Sequence, residues 1–180
     1  SKYFEYIINY IENEAKVQEL KTLSGLGEPK INIDCSPFNG DWGRPQNDGP
    51  ALRGIMMIKI INIFKYNYDT LINKLISPIV IKDILYILDN YNKVSFDLWE
   101  EKLGWHFYTR IVQLKFLKDS IMVNKYLKLD QKLITKIEGV INQLFSSLDD
   151  HICENEDGKY IISSFDESGK VIKYEDAANL

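Results

Sequence analysis

Cysteine is scarce in this chain of 180 residues: Cys35 and Cys153 are the only two, and they lie far apart, without metal-ligand spacing. Two are too few for a disulfide framework; a buried pair of thiols is the default and a single disulfide the alternative. An excess of positive charge is lacking as well. Lys and Arg number 22 against 26 Asp and Glu, giving a net charge of −4 and a pI near 5.3, and no basic stripe runs along the chain. This excludes a nucleic-acid partner, which is bound by neutralising phosphates, and leaves neutral or weakly polar ligands. Long apolar runs are missing too. The longest stretch, Ile55 to Phe64, is interrupted by Lys59 and Asn62 and is too short to cross a bilayer, so no membrane partner is expected. No charged segment followed by an apolar one opens the chain. It starts at Ser1 instead of Met, which implies a chain trimmed or cut from something longer. His106 and His151 have no partner pattern, and no metal or other cofactor is expected.

What is present is an ordinary globular composition, 45% apolar and 27% charged, in a length that suits one compact domain. Helical periodicity dominates. Phe4, Ile7, Ile8, Ile11 and Ala15 predict a first helix from about Tyr3 to Leu20. Asp48-Gly49-Pro50 predicts the start of a second, apolar on nearly every face from Ala51 to Phe64 and therefore buried on two sides. Ser77-Pro78 opens a third, to about Asn90. A fourth follows Gly104 and carries Phe107, Tyr108, Ile111, Leu114 and Leu117. A fifth spans about Asp130 to Leu148, with Leu133, Ile134, Ile137, Ile141, Leu144 and Phe145 on one face. Alternation in Tyr160-Ile161-Ile162 and in Val171-Ile172-Lys173-Tyr174, joined across Asp166-Glu167-Ser168-Gly169, predicts a short β-hairpin near the C-terminus. The fold class is all-α. Five helices in antiparallel succession suit a small bundle or part of a layered helical barrel.

Chemistry-bearing residues collect between the helices. Residues 25–50 have no helical period and form a long loop, a length that is usually functional inside a compact domain. It holds Trp42 and Arg44, residue types that grip sugars and carboxylates. Downstream, Asp97-Leu98-Trp99-Glu100-Glu101 puts carboxylates on both sides of a tryptophan. Such an acidic run is ordinarily solvated surface. Its residue types also fit one half of a sugar-cleaving site, in which one carboxylic acid protonates the glycosidic oxygen and an aromatic face supports the ring.

Three separated motifs, GLGEPKINID from Gly25, DWGRPQNDGPALR from Asp41 and DLWEE from Asp97, together resemble the glucoamylase family, inverting exo-acting glucan 1,4-alpha-glucosidases. The resemblance implies an (α/α)6 barrel of which residues 1–180 are a single partial catalytic domain, roughly its middle third. It implies hydrolysis of terminal alpha-1,4-linked glucose from starch- or glycogen-like chains. The implied partners are the alpha-glucan substrate and the rest of the parent catalytic domain. By resemblance Glu100 is the general acid and Asp97 a supporting catalytic residue. Trp42, Leu98, Trp99 and Glu101 are implied to bind substrate. A general acid must hold its proton, which neighbouring negative charge favours, and Asp97 and Glu101 are placed to supply that charge. Arg44, Gln46 and Asp48 are expected to serve structure. Adjacent Glu101 cannot face Glu100 across a sugar at the roughly 6.5–9.5 Å of an inverting pair, so it is not the base.

Departures from the family pattern accompany the match. Lys102-Leu103-Gly104 stands where the family has a short aliphatic, an asparagine and a glycine, and Ser95 where glycine is common. The tryptophan-threonine-arginine-aspartate segment that holds the terminal glucose has no counterpart, nor has the C-terminal glutamate that activates water. The expected chain is thus an incomplete glycoside hydrolase lacking its base, the alternative being a non-catalytic glucan-binding or regulatory module derived from the same fold.

Overall fold

Six helices and six short strands follow one another in the computed structural model, which describes residues 2–20 and 22–179. In chain order they are α1 (Lys2–Leu20), α2 (Gly49–Phe64), α3 (Ser77–Asn90), β1 (Ser95–Phe96), β2 (Leu103–His106), α4 (Phe107–Met122), α5 (Asn124–Leu127), α6 (Gln131–Ser147), β3 (Ile152–Asn155), β4 (Gly158–Ile161), β5 (Ser164–Phe165) and β6 (Val171–Lys173). A 3₁₀ turn at Leu23–Gly27 follows α1, and α3 is entered through helical turns at Asp69–Leu71 and Ile72–Ile76, the second of them π-helical. All five helices expected from periodicity are present. Three have the start signals their sequences carry: Pro50 and Pro78 lie in the first turns of α2 and α3, and the Asp130 side chain accepts the Leu133 N–H at 2.7 Å to cap α6.

Helices α2, α3 and α4 form the centre, with α2 packed on the other two. Met57, Ile61, Ile79, Ile84, Ile87, Phe116 and Leu117 are all essentially inaccessible there. Gly54 sets the spacing of α2 and α4, because a Cβ at that position would fall 2.1 Å from the buried Phe116 ring. Arg53 ties three helices together. Its guanidinium spans Asp83 of α3 at 3.0 and 2.5 Å and reaches Glu14 of α1 at 3.6 Å. Burial of α2 on two sides holds only in part. Leu52, Met56 and Ile63 recur along one line of the helix and are 40%, 46% and 65% exposed, so a third apolar face lies open.

The strands differ from the single hairpin expected. β1, β2, β5 and β6 form a four-stranded antiparallel sheet, and β3 and β4 a separate two-stranded one. Val171–Lys173 does pair across Asp166–Lys170, but its partner is Ser164–Phe165; Tyr160 and Ile161 pair instead with Cys153 and Ile152. Turn chemistry explains the register. The Asp166 carboxylate accepts the N–H groups of Ser168 and Lys170, and the Asp166 N–H donates to the Lys170 carbonyl. That closed turn brings the residues immediately flanking it together and leaves Tyr160 to another strand. Cys35 and Cys153 are free thiols, both half-buried and not deep in the core. Among the described residues no helix is long and apolar enough to cross a membrane.

Candidate active site

The acidic pentapeptide is the turn of a β-hairpin. β1 and β2 pair through Ser95 with Gly104 and Phe96 with Leu103, and residues 97–102 close the end between them. Alternation is too short here to mark strands, so the hairpin was not legible from periodicity. Asp97 organises the turn. Its N–H donates to the Lys102 carbonyl at 3.0 Å, and its Oδ1 accepts the N–H groups of Glu101 at 2.7 Å and Lys102 at 3.0 Å. The Glu100 N–H donates to the Asp97 carbonyl at 2.9 Å, and Glu100 adopts φ of 63°. A left-handed backbone costs a non-glycine residue about 1–2 kcal/mol, which the hydrogen bonds around Asp97 must offset.

Lys173, on β6, lies over this turn and was not a candidate from sequence. Its ammonium contacts Asp97 Oδ2 at 2.9 Å, Glu101 Oε2 at 3.1 Å and Asp176 Oδ2 at 3.1 Å. Burial pushes the lysine's pKa down, but the three carboxylates outweigh it and hold the ammonium well above its ordinary range. Burial likewise pushes the Asp97 carboxyl up, and the Lys102 N–H, Lys173 and the Glu101 N–H outweigh it, leaving Asp97 below the usual carboxylate range. The expectation that Asp97 and Glu101 supply uncompensated negative charge beside Glu100 therefore does not hold. Both are paired to one cation. The half-buried Glu100 carboxylate makes no hydrogen bond or ion pair among the described residues.

Trp99 is 53% exposed and donates its indole N–H to Asp176 Oδ1 at 2.8 Å. Leu98 beside it is half-buried. Trp42 lies on the 25–50 loop, which runs directly against the acid hairpin: the Phe96 N–H donates to the Pro45 carbonyl at 2.8 Å, and a Cβ at Gly43 would meet the Phe96 ring at 2.9 Å. The structure thus brings the second and third motifs together at Phe96. The first motif joins them through Arg44, which ion-pairs with Glu28, and through Gln46, whose N–H donates to the Gly27 carbonyl at 2.8 Å. Trp42 is 38% exposed, stands edge-on to Phe38, and has the Lys30 ammonium 3.6 Å from its ring centre.

Behind these groups lie buried polar residues. Asn47 accepts the Tyr86 hydroxyl at 2.6 Å, and its carbonyl accepts the Gln113 amide at 3.0 Å. Asp48 is buried, and burial, with the charge of Asp97 adding to it, raises its carboxyl above the ordinary range. His106 bridges Ser164 Oγ at 2.7 Å and the Ser95 carbonyl at 2.8 Å, pinning β1 to β5. His151 contacts the Ile162 carbonyl at 2.8 Å between Phe107 and Phe165. Both histidines contact a backbone carbonyl. No group of His, Cys, Asp and Glu among the described residues is arranged to hold a metal.

Comparison with known proteins identifies the family and the fold. Residues 2–177 match the family model described as glycosyl hydrolases family 15. Glucoamylase-1 of Arthroderma benhamiae is 39% identical over 130 residues, covering 68% of this chain and 21% of that protein. The intracellular sporulation-specific glucoamylase of Saccharomyces cerevisiae is 45% identical over 104 residues, covering 53% and 19%. The solved family 15 glucoamylase of Hypocrea jecorina superposes with a TM-score of 0.77 at 33% identity, over 87% of this chain and 26% of that one. The chain spans about a fifth of the length of the curated relatives it matches. The fold is accordingly a portion of the helical barrel those structures share.

Proposed function

The chain belongs to glycosyl hydrolases family 15, and from that premise we propose that it carries the acid side of a site hydrolysing terminal alpha-1,4-linked glucose from starch- or glycogen-like glucans. Glu100 is the proton donor. One observation carries this assignment: of the three carboxylates in the turn, Asp97 and Glu101 are tied to Lys173, whereas Glu100 is held at a left-handed backbone position with its carboxylate unpaired among the described residues. Strain held in place by surrounding hydrogen bonds is characteristic of functional positions. A carboxyl group without an internal partner is the one available to a ligand.

The other residues take roles around that step. Asp97 positions the turn through two backbone N–H groups. Trp99 and Trp42 present ring faces to a sugar, the first oriented by Asp176. Glu101 has one oxygen on Lys173 and is more than half exposed, which leaves its other oxygen free to accept a sugar hydroxyl. In an inverting reaction Glu100 gives its proton to the glycosidic oxygen as the bond from C1 breaks. A second carboxylate takes a proton from water on the opposite face, at roughly 6.5–9.5 Å from the acid. That base and the holder of the terminal glucose are assigned to the remainder of the parent catalytic domain, the partner this reading requires.

Replacement Glu100→Gln in the full-length protein tests the assignment. The amide keeps the shape and removes the acid. Glucose release from maltotriose is expected to fall by roughly 10²–10⁴-fold, the ordinary contribution of a general acid, with maltotriose affinity changed less than twofold. Retention of a tenth of the activity overturns the role of Glu100.

A further inference from the structure

The acid turn adjoins a trough that the proton-transfer chemistry does not use. One wall is β4, with Lys159, Tyr160 and Ile161; the other is the segment after β6, with Glu175, Asp176 and Asn179. Its volume is about 580 Å³, within the roughly 300–1,000 Å³ of small-molecule sites. A second hollow of about 300 Å³, reached by Asn155 and Asp157, shares Lys159, Tyr160 and Glu175 with it. Because they share a wall, a ligand larger than either hollow can lie across both.

Lining chemistry selects the kind of chain. Carboxylates at Asp157, Glu175 and Asp176 outnumber the single ammonium of Lys159, which disfavours phosphates and other anions. The amides of Asn155 and Asn179 stand near a Tyr160 side chain that is 41% exposed. Hydrogen-bonding groups around an accessible aromatic ring match a neutral polyhydroxylated chain. Asn179 Oδ1 is buried without a hydrogen-bond partner among the described residues. Such an acceptor gains from an incoming hydroxyl donor, because left unpaired it bears the full cost of desolvation.

Position selects the rest. Asp176 belongs to both regions: it forms part of the trough wall while accepting the Trp99 indole N–H at 2.8 Å and the Lys173 ammonium at 3.1 Å. We propose that this trough is an accessory binding site for the distal part of a long alpha-glucan whose end is engaged at the acid turn. This rests on the proposed function and extends it to chain length. A chain long enough to pass Asp176 and lie against Tyr160 gains contacts that a short oligosaccharide held at Trp99 lacks, and the trough thereby favours long chains.

The test uses the full-length protein with maltotriose and with amylose of about 20 glucose units as probes, affinities being measured by calorimetry. Tyr160→Ala removes the ring, and Ala177→Trp fills the trough from an exposed position. Each is expected to weaken amylose binding about tenfold, on the scale of one buried aromatic face, and to leave maltotriose within twofold. Unchanged maltotriose affinity also shows that each variant is folded. The proposal is overturned if Ala177→Trp leaves amylose binding unchanged, or if both sugars weaken together. An unmodified protein that binds neither sugar refutes the proposed function along with the trough. One that binds both sugars, with no response in the variants, refutes the trough alone.

Discussion

Replacing Lys173 with Met isolates the clamp over the acid turn, because the thioether keeps the aliphatic stem and removes the charge. Three carboxylates then lose their shared cation. Glu101 has a side chain 59% exposed and is well solvated without it, whereas Asp97 and Asp176 are 4% and 6% exposed and are not. Breaking a buried pair by removing one partner costs about 3–5 kcal/mol. Asp97 keeps its two backbone N–H donors and Asp176 keeps Trp99 and the Ala178 N–H, so a loss at or just below the bottom of that range is expected, about 2–3 kcal/mol at pH 7. The pH dependence follows from the direction of the shifts. Asp97 and Asp176 lie below their unfolded values, so the stability they contribute is present above the unfolded carboxylate pKa and is lost as pH falls through the folded one. The deficit of the variant should therefore shrink on acidification below about pH 4, where carboxylates protonate in both proteins. Chemical unfolding at pH 7 and at pH 3.5 reads both effects, with Lys173→Arg as the charge-conserving control. A variant within 0.5 kcal/mol of the parent at pH 7, or a deficit equal at the two pH values, would refute the clamp.

Trp42→Ala should weaken maltooligosaccharide binding by about tenfold or more, a few kcal/mol being the limit for one aromatic face; a change in thermal stability alone would make Trp42 a packing residue. Gly54→Ala should destabilise the fold by about 1–3 kcal/mol through overpacking against Phe116, with partial recovery in a Phe116→Leu background. Unfolding midpoints of the two single and the double variants check this, and additive losses count against it. Burial depresses His151 to about 4 from 6.5, so the unfolded chain takes up the proton first and stability falls as pH drops from 6.5 toward 4. The full effect is about 3 kcal/mol, and His151→Gln should lose less stability than the parent between those values. Equal slopes in the two proteins would count against the histidine.

How much of this was legible in the sequence depended on the range of the interaction. Helices announce themselves locally, through periodicity in α1 and α6 and through Pro50 and Pro78 at helix starts, and all of these were found. The motifs around Trp42 and Glu100 identified the family, because three separated matches carry information that no single acidic run does. Strands of two residues have no readable alternation, so the β1–β2 hairpin went unseen and the partner of Val171–Lys173 was misassigned. Charge compensation was invisible for a different reason. Lys173 lies 76 positions from Asp97, and nothing in its neighbours marks it among the chain's other lysines. The clamp exists because β6 reaches the turn through β5 and β2.

That path has a consequence for anyone dividing the protein into pieces. A boundary drawn after α6, at Ser147, would retain every α-helix of the described residues and look like a natural end by helix content. It would also remove β5, whose Ser164 holds His106 against β1, and β6, which brings the cation to Asp97. The acid turn would be present in such a piece with its own backbone hydrogen bonds but without the cation that pairs Asp97 and Glu101. During synthesis the same order applies: the ribosome releases the glutamate long before the lysine that steadies its neighbours, so this half of the site matures only once the chain through Asp176 has emerged.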